Sequence, residues 1–155
     1  MEQLQIRPAQ EIDIPAVCRL LEQVCQTHAN ARADIFKSGG KKYSEAELSE
    51  IFACENTPVF VACQNGEVVG YVFGILQKAG GALLKDTFYI DDLCVDETKR
   101  GLGIGKALFA HACDQARLRG CYNLTLHVWK GNDNAEAFYE KLGMRTQKVC
   151  LETIL

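Results

Sequence analysis

Residues 95–108, Val-Asp-Glu-Thr-Lys-Arg-Gly-Leu-Gly-Ile-Gly-Lys-Ala-Leu, constrain this chain more than any other stretch. An apolar, β-branched run ends at Val95, a short charged turn follows, Gly101, Gly103 and Gly105 alternate, and an amphipathic segment begins. The order is strand, turn, helix. Alternating glycines let successive backbone N–H groups converge on one point, and the helix that follows adds its positive end, so the junction suits a diphosphate. Spacing excludes two other phosphate motifs. A dinucleotide fingerprint reads G-x-G-x-x-G with an acidic residue about 20 positions on, and a triphosphate loop reads G-x-x-x-x-G-K-[ST]. Gly101-x-Gly103-x-Gly105 is neither.

The rest of the chain reads as what surrounds this junction. Leu4 to Arg7 alternates and stops at Pro8, a short first strand. Asp13 is placed as N-cap of a helix over 13 to about 27, with Pro15 in its first turn and Ile14, Val17, Leu20, Leu21 and Val24 on one face. Residues 28–43 lose periodicity and read as a loop in which Lys41 and Lys42 are solvated charges. Ser44 and Glu47 have the form of a capping box before a short second helix. Residues 59–63 and 68–76 form strands joined by an Asn65-Gly66 turn, the strongest hairpin signal in the chain.

Thr87 to Val95 is the next strand, and it carries Asp91 and Asp92. Adjacent strand residues point to opposite faces, so both acids look the same way only where a bulge intervenes. Helix 103–119 stops at Gly120, and residues 124–128 form another strand. Asn132-Asp133-Asn134 caps a helix bearing Ala135, Phe138, Tyr139 and Leu142, closed by Gly143. Residues 144–155 alternate through Val149, Leu151 and Ile154 and read as a final strand. Together these make one α+β domain over 1–155, a mixed, mostly antiparallel sheet flanked by about four helices.

Composition narrows the class of partner. A net charge of -3 gives no general pull toward nucleic acid. The first residues have no basic region followed by an apolar core, and no apolar run reaches membrane-spanning length. Eight cysteines include no C-x-x-C pair. That pattern suits buried free thiols in a reduced, cytoplasmic protein rather than disulfides or zinc. His28, His111 and His127 are spaced for no metal site, and His28, beside the loop, is a candidate contact for substrate.

The run Arg100-x-x-Gly103-x-Gly105 after a strand ending at Val95, followed by Asn132, Tyr139 and Gly143-Met144, resembles the GNAT superfamily of N-acetyltransferases over essentially the whole chain. The resemblance implies acetyl-CoA as co-substrate and no metal. The N–H groups of Arg100, Gly101, Leu102, Gly103, Ile104, Gly105 and Lys106 would cradle its diphosphate. Leu93, Cys94 and Val95 would pair with the pantetheine like an added strand, and Asn132 would hold that arm. The family's sheet splays between this strand and the next, here 124–128, leaving a slot for the thioester. Tyr139 matches the family's acid for the departing thiolate.

Tyr89 to Val95 is similar to the strand of spermidine/spermine N-acetyltransferases that bears an acidic pair. The first acid there is the favoured base, which maps to Asp91, with Asp92 attracting a cationic substrate. Aspartate is shorter than the glutamate at the matching position, so a bridging water enters the proton path. The implied function is direct acetyl transfer to a primary amine, on a polyamine-like molecule, a lysine side chain or a protein N-terminus. A non-catalytic acyl-CoA-binding module on the same fold is the alternative. The apolar C-terminal strand is compatible with a homodimer, and neither nucleic acid nor membrane is expected as partner.

Overall fold

A five-stranded sheet in the order β1-β2-β3-β4-β5 carries two helices on each face in the computed structural model, which describes residues 3–155. Strand β1, Leu4–Pro8, pairs antiparallel with β2, Val59–Gln64. Its Arg7 grips Asp13 through two hydrogen bonds of 2.7 and 2.9 Å, and the same carboxylate accepts from the Gln10 N–H at 2.8 Å. Asp13 stands at the N-cap of the first helix as expected, but its side chain caps none of that helix's N–H groups. It ties a single 3-10 turn, Glu11–Asp13, to the sheet.

Helix α1, Ile14–Ala31, buries Val17, Leu20 and Leu21 and outruns its expected end, so His28 is helical. Polar pairs one turn apart, Gln26 with Asn30 and Thr27 with the Gln23 carbonyl, extend it where apolar periodicity has ceased. Helix α2, Glu45–Ala53, starts as expected. The Glu47 N–H donates to Ser44 Oγ at 3.2 Å and the Ser44 N–H to the Glu47 carboxylate at 2.7 Å. Strand β3, Glu67–Gln77, returns from β2 through Asn65 and Gly66 at φ of 52° and 82°, the positive values that a two-residue hairpin needs.

Strand β4, Thr87–Val95, pairs antiparallel with β3 and parallel with β5, Asn123–Leu126. Helix α3, Ile104–Leu118, and helix α4, Asp133–Lys141, complete the order. Helices α1 and α2 cover one face over Val61, Tyr71, Phe73 and Cys94, and α3 covers the other over Phe60, Val72, Phe88 and Ile90. Each fully buried side chain such as Leu20, Leu108 or Val72 contributes about 2 kcal/mol. No helix among the described residues is long and apolar enough to cross a membrane.

Two irregularities of β4 position the site. Phe73 pairs with Asp92 but Gly74 pairs with Ile90, so Asp91 is an inserted residue opposite no partner. This bulge reverses the alternation of β4. Ile90 and Leu93 pack on the α3 side, whereas Asp91 and Asp92 both turn toward the α1 side. The second irregularity starts at the same place. Pairing with β5 ends at Ile90 with Leu126, so the backbone from Asp91 to Val95 has no neighbour on that side. This is the expected splay.

The expected final strand is absent. Residues 144–155 take no regular secondary structure and join no ladder, and Val149, Leu151 and Ile154 are 75%, 89% and 75% exposed. Alternation records which side of a segment is apolar, not whether a strand lies beside it. The segment instead reaches back to α1, where Glu152 accepts from Arg32 at 2.8 Å.

Candidate active site

The glycine-rich junction folds as an open cradle. A single 3-10 turn, Glu97–Lys99, follows β4 and is capped by Asp96, which accepts from the Thr98 N–H at 2.9 Å. Gly101 and Gly103 have φ of 79° and 81°, and Gly103 is the N-cap of α3 with no side chain to satisfy the helix's first donors. Among the described residues the N–H groups of Gly101, Leu102, Gly103, Ile104, Gly105 and Lys106 meet no acceptor. Unpartnered donors at a helix start suit an acceptor-only, doubly anionic group, so these residues fit the diphosphate of acetyl-CoA. Gly105 lies where α4 crosses, and a Cβ there would stand 3.2 Å from Phe138 Cζ.

Behind the cradle, Leu93 and Val95 pack on the α3 side. Cys94 is buried on the other side, and burial pushes its thiol up to about 12, so it is a packing residue and no nucleophile. Asn132 caps α4, its Oδ1 accepting from the Ala135 N–H at 3.3 Å. Its amide nitrogen has no partner among the described residues.

Both acids at the bulge are held by tyrosines. Tyr43, from the loop before α2, donates to Asp91 Oδ2 at 2.6 Å, and Lys42 Nζ stands 3.0 Å from the same oxygen. Tyr71 of β3 donates to Asp92 Oδ2 at 2.8 Å. Burial raises the Asp92 carboxyl to about 6, against the opposing pull of Lys42 and of the Tyr71 hydrogen bond. Tyr139, on α4, is pushed up to about 12 by burial and then by the Asp92 charge. Its ring lies 6.0 Å from Phe109, and its hydroxyl has no hydrogen-bond partner among the described residues. Asp91 and Asp92 thus lie side by side where β4 and β5 part, and the charge of Asp92 reaches Tyr139, 47 positions further along the chain.

Two aromatic groups form nearby contacts of their own. Tyr89 Oη lies 3.1 Å from His127 Nδ1. The His28 ring stands 5.0 Å from Phe36, which meets Trp129 edge-on at 5.4 Å. Burial and the nearby Lys42 charge hold the His28 pKa below its usual value. Sequence reading missed Lys42, Tyr43 and Tyr71. One signal for Tyr71 was available, because a phenol inside the apolar run Val68 to Phe73 needs a buried acceptor. Lys42 and Tyr43 gave none, since loop residues acquire partners only through tertiary contact.

Unpartnered N–H groups at the start of α3, after a strand that parts from its neighbour at two carboxylates, suit a transferase that takes an acyl group from a nucleotide-bearing thioester. The chain belongs to the acetyltransferase (GNAT) family, whose model matches residues 22–144. It is 25% identical to glucosamine 6-phosphate N-acetyltransferase of Trypanosoma brucei brucei over 145 residues, 94% of this chain and 91% of that one. It is 27% identical to bovine (Bos taurus) thialysine N-epsilon-acetyltransferase over 150 residues, 90% of this chain and 83% of that one. The crystal structure of a mutant of the BH1408 protein from Bacillus halodurans superposes with a TM-score of 0.92 at 34% identity, covering 97% of this chain and 99% of that one. The chain is an N-acetyltransferase, and its acceptor is an amine.

Proposed function

We propose that this enzyme transfers acetyl directly from acetyl-CoA to a cationic primary amine, with Asp92 as base and Tyr139 as acid. The observation that carries the reading is the bulge, which turns two carboxylates to one face where the sheet parts. Two acids at the mouth of the slot favour an acceptor that arrives as an ammonium. The names of two relatives, acting on glucosamine 6-phosphate and thialysine, share an amine and little else. A polyamine-like molecule, a lysine side chain and a protein N-terminus all present this group.

Acetyl-CoA, when bound, supplies an activated thioester. The acceptor ammonium, with a pKa of about 10.4 if lysine-like, must lose a proton before its nitrogen is nucleophilic. Asp92, raised to about 6, is ionised at neutral pH yet closer to the amine in proton affinity than an ordinary carboxylate. Asp91, tied to Tyr43 and Lys42, anchors positive charge instead of taking the proton. Tyr139 donates to the leaving thiolate, and a β4 backbone N–H at the splay polarises the carbonyl. All eight cysteines are free thiols, but only Cys18, Cys63 and Cys94 are buried, and Cys54 and Cys150 are exposed, contrary to the expectation of buried thiols.

The test mixes the protein with acetyl-CoA and a panel of amines and follows thiol release. Release with cationic primary amines, and initial rates that fit a ternary complex, are the expected results. Tight acetyl-CoA binding with no release from any amine sinks the reading.

A further inference from the structure

The carboxylate to which an acceptor ammonium would be drawn is already paired with an ammonium of the chain itself. Lys42 Nζ lies 3.0 Å from Asp91 Oδ2 and 3.4 Å from the Asp91 carbonyl, and 5.6 Å from the centre of the Tyr43 ring. Carboxylate, carbonyl and aromatic face are the three partners a cationic amine seeks. The loop carrying Lys42 is pinned by Tyr43, whose hydroxyl donates to the same carboxylate. Lys41, one residue away, turns outward to Glu22 at 3.7 Å. Neighbouring lysines of one loop therefore have different fates, one facing solvent and one seated at the acids.

We propose that Lys42 is a self-acetylation site, and that its acetylation frees Asp91 for the acceptor. The proposal rests on the acetyl-transfer reading given above. The ammonium loses one proton to Asp92, its nitrogen forms a bond to the thioester carbonyl carbon, and the carbon–sulfur bond breaks. The nitrogen's second proton passes to solvent and the thiolate takes one from Tyr139, leaving an amide and free CoA thiol. The acetylated side chain has no charge, so its ion pair with Asp91 is lost and the carboxylate is left to an incoming ammonium.

The experiment incubates the full chain with acetyl-CoA and no added amine, and maps acetyl occupancy at Lys37, Lys41 and Lys42 by peptide mass spectrometry. Lys42 is expected to fill first, about tenfold ahead of Lys41, at a rate constant that does not change on diluting the protein. Heat-denatured chain is expected to lose that preference. Equal labelling of Lys41 and Lys42 in protein that acetylates added amines overturns the proposal and spares the general function. No labelling and no turnover of any amine overturns both.

A second measurement needs no acetyl-CoA. Lys42→Gln, which copies the loss of charge, is expected to bind spermidine about tenfold more tightly than wild type by calorimetry. Equal affinity shows that Lys42 does not occupy the acceptor's place and overturns the second half of the proposal.

Discussion

Asp91 and Asp92 are adjacent in sequence yet face the same side of the sheet, Asp91 bound by Tyr43 and Asp92 by Tyr71. A regular strand forbids this, and the bulge at Asp91 permits it. The two carboxylates share a face but not an environment. Asp91 has a cation at 3.0 Å, whereas burial pushes the Asp92 carboxyl up to about 6. On the proposed reading, that difference makes Asp91 the anchor and Asp92 the base.

Asp92 must be ionised to accept a proton, so kcat/KM is expected to fall on the acid side with an apparent pKa of about 6. Asp92→Asn is expected to lower kcat by about 100-fold and to remove that limb. Stability moves the other way. Because the folded carboxyl titrates above its unfolded value, the folded state loses stability as pH rises from about 4 to about 6. At neutral pH the asparagine variant therefore melts higher than wild type. A pH–rate profile and a thermal scan of both proteins check the pair of effects, and an unchanged acid limb in the variant removes Asp92 as the base.

Tyr139 has the reverse requirement, since it must hold its proton until the thiolate leaves, and burial raises it to about 12. Its hydroxyl bonds nothing among the described residues, so deleting that oxygen orphans no buried group. Tyr139→Phe is expected to reduce kcat about 100-fold while stability changes by under about 0.5 kcal/mol. Full turnover in the phenylalanine variant shows that the proton comes from elsewhere.

The parts legible in the sequence are those set by local chemistry. The capping box at Ser44, the Asn65-Gly66 hairpin and the Gly101-Gly105 turn depend on residues within a few positions, and each folds as its pattern dictates. The adjacent acids announced a conditional, and the structure supplies its bulge. What failed depends on distant partners. Asp13 takes its N-cap position, but its carboxylate goes to Arg7 instead of the helix, and Lys42 reads as solvated until its loop folds over β4. Residues 144–155 alternate like a strand but join no ladder among the described residues, since pairing is a tertiary property that alternation does not record.

The cradle makes a separable prediction. Gly103 holds φ at 81°, a left-handed conformation that costs an alanine about 1–2 kcal/mol. A Cβ there meets no atom within 4 Å, so the strain is confined to the backbone that presents the N–H groups. Gly103→Ala is expected to weaken acetyl-CoA binding about tenfold by calorimetry. Its kcat at saturating acetyl-CoA is expected to stay near wild type, because the acids and Tyr139 are untouched. A variant that loses kcat and keeps affinity contradicts a cradle role for this turn.

The bulge itself is testable through the residue opposite it. Gly74 pairs with Ile90 at the point where the register slips, and the Phe88 ring lies across it on the α3 side. A Cβ at position 74 would meet that ring at 2.4 Å, closer than any atoms pack, and Phe88 is fully buried and has nowhere to retreat. Gly74→Ala therefore forces either the ring or the strand to move, at about 1–3 kcal/mol in urea unfolding. Any movement of β4 at Ile90 is passed to Asp91 and Asp92, the next two residues. Turnover is thus expected to fall by more than the lost stability alone explains, even at temperatures where the variant is wholly folded. A variant as stable and as active as wild type shows that Phe88 does not fix the bulge, and that the placement of the acids has another cause.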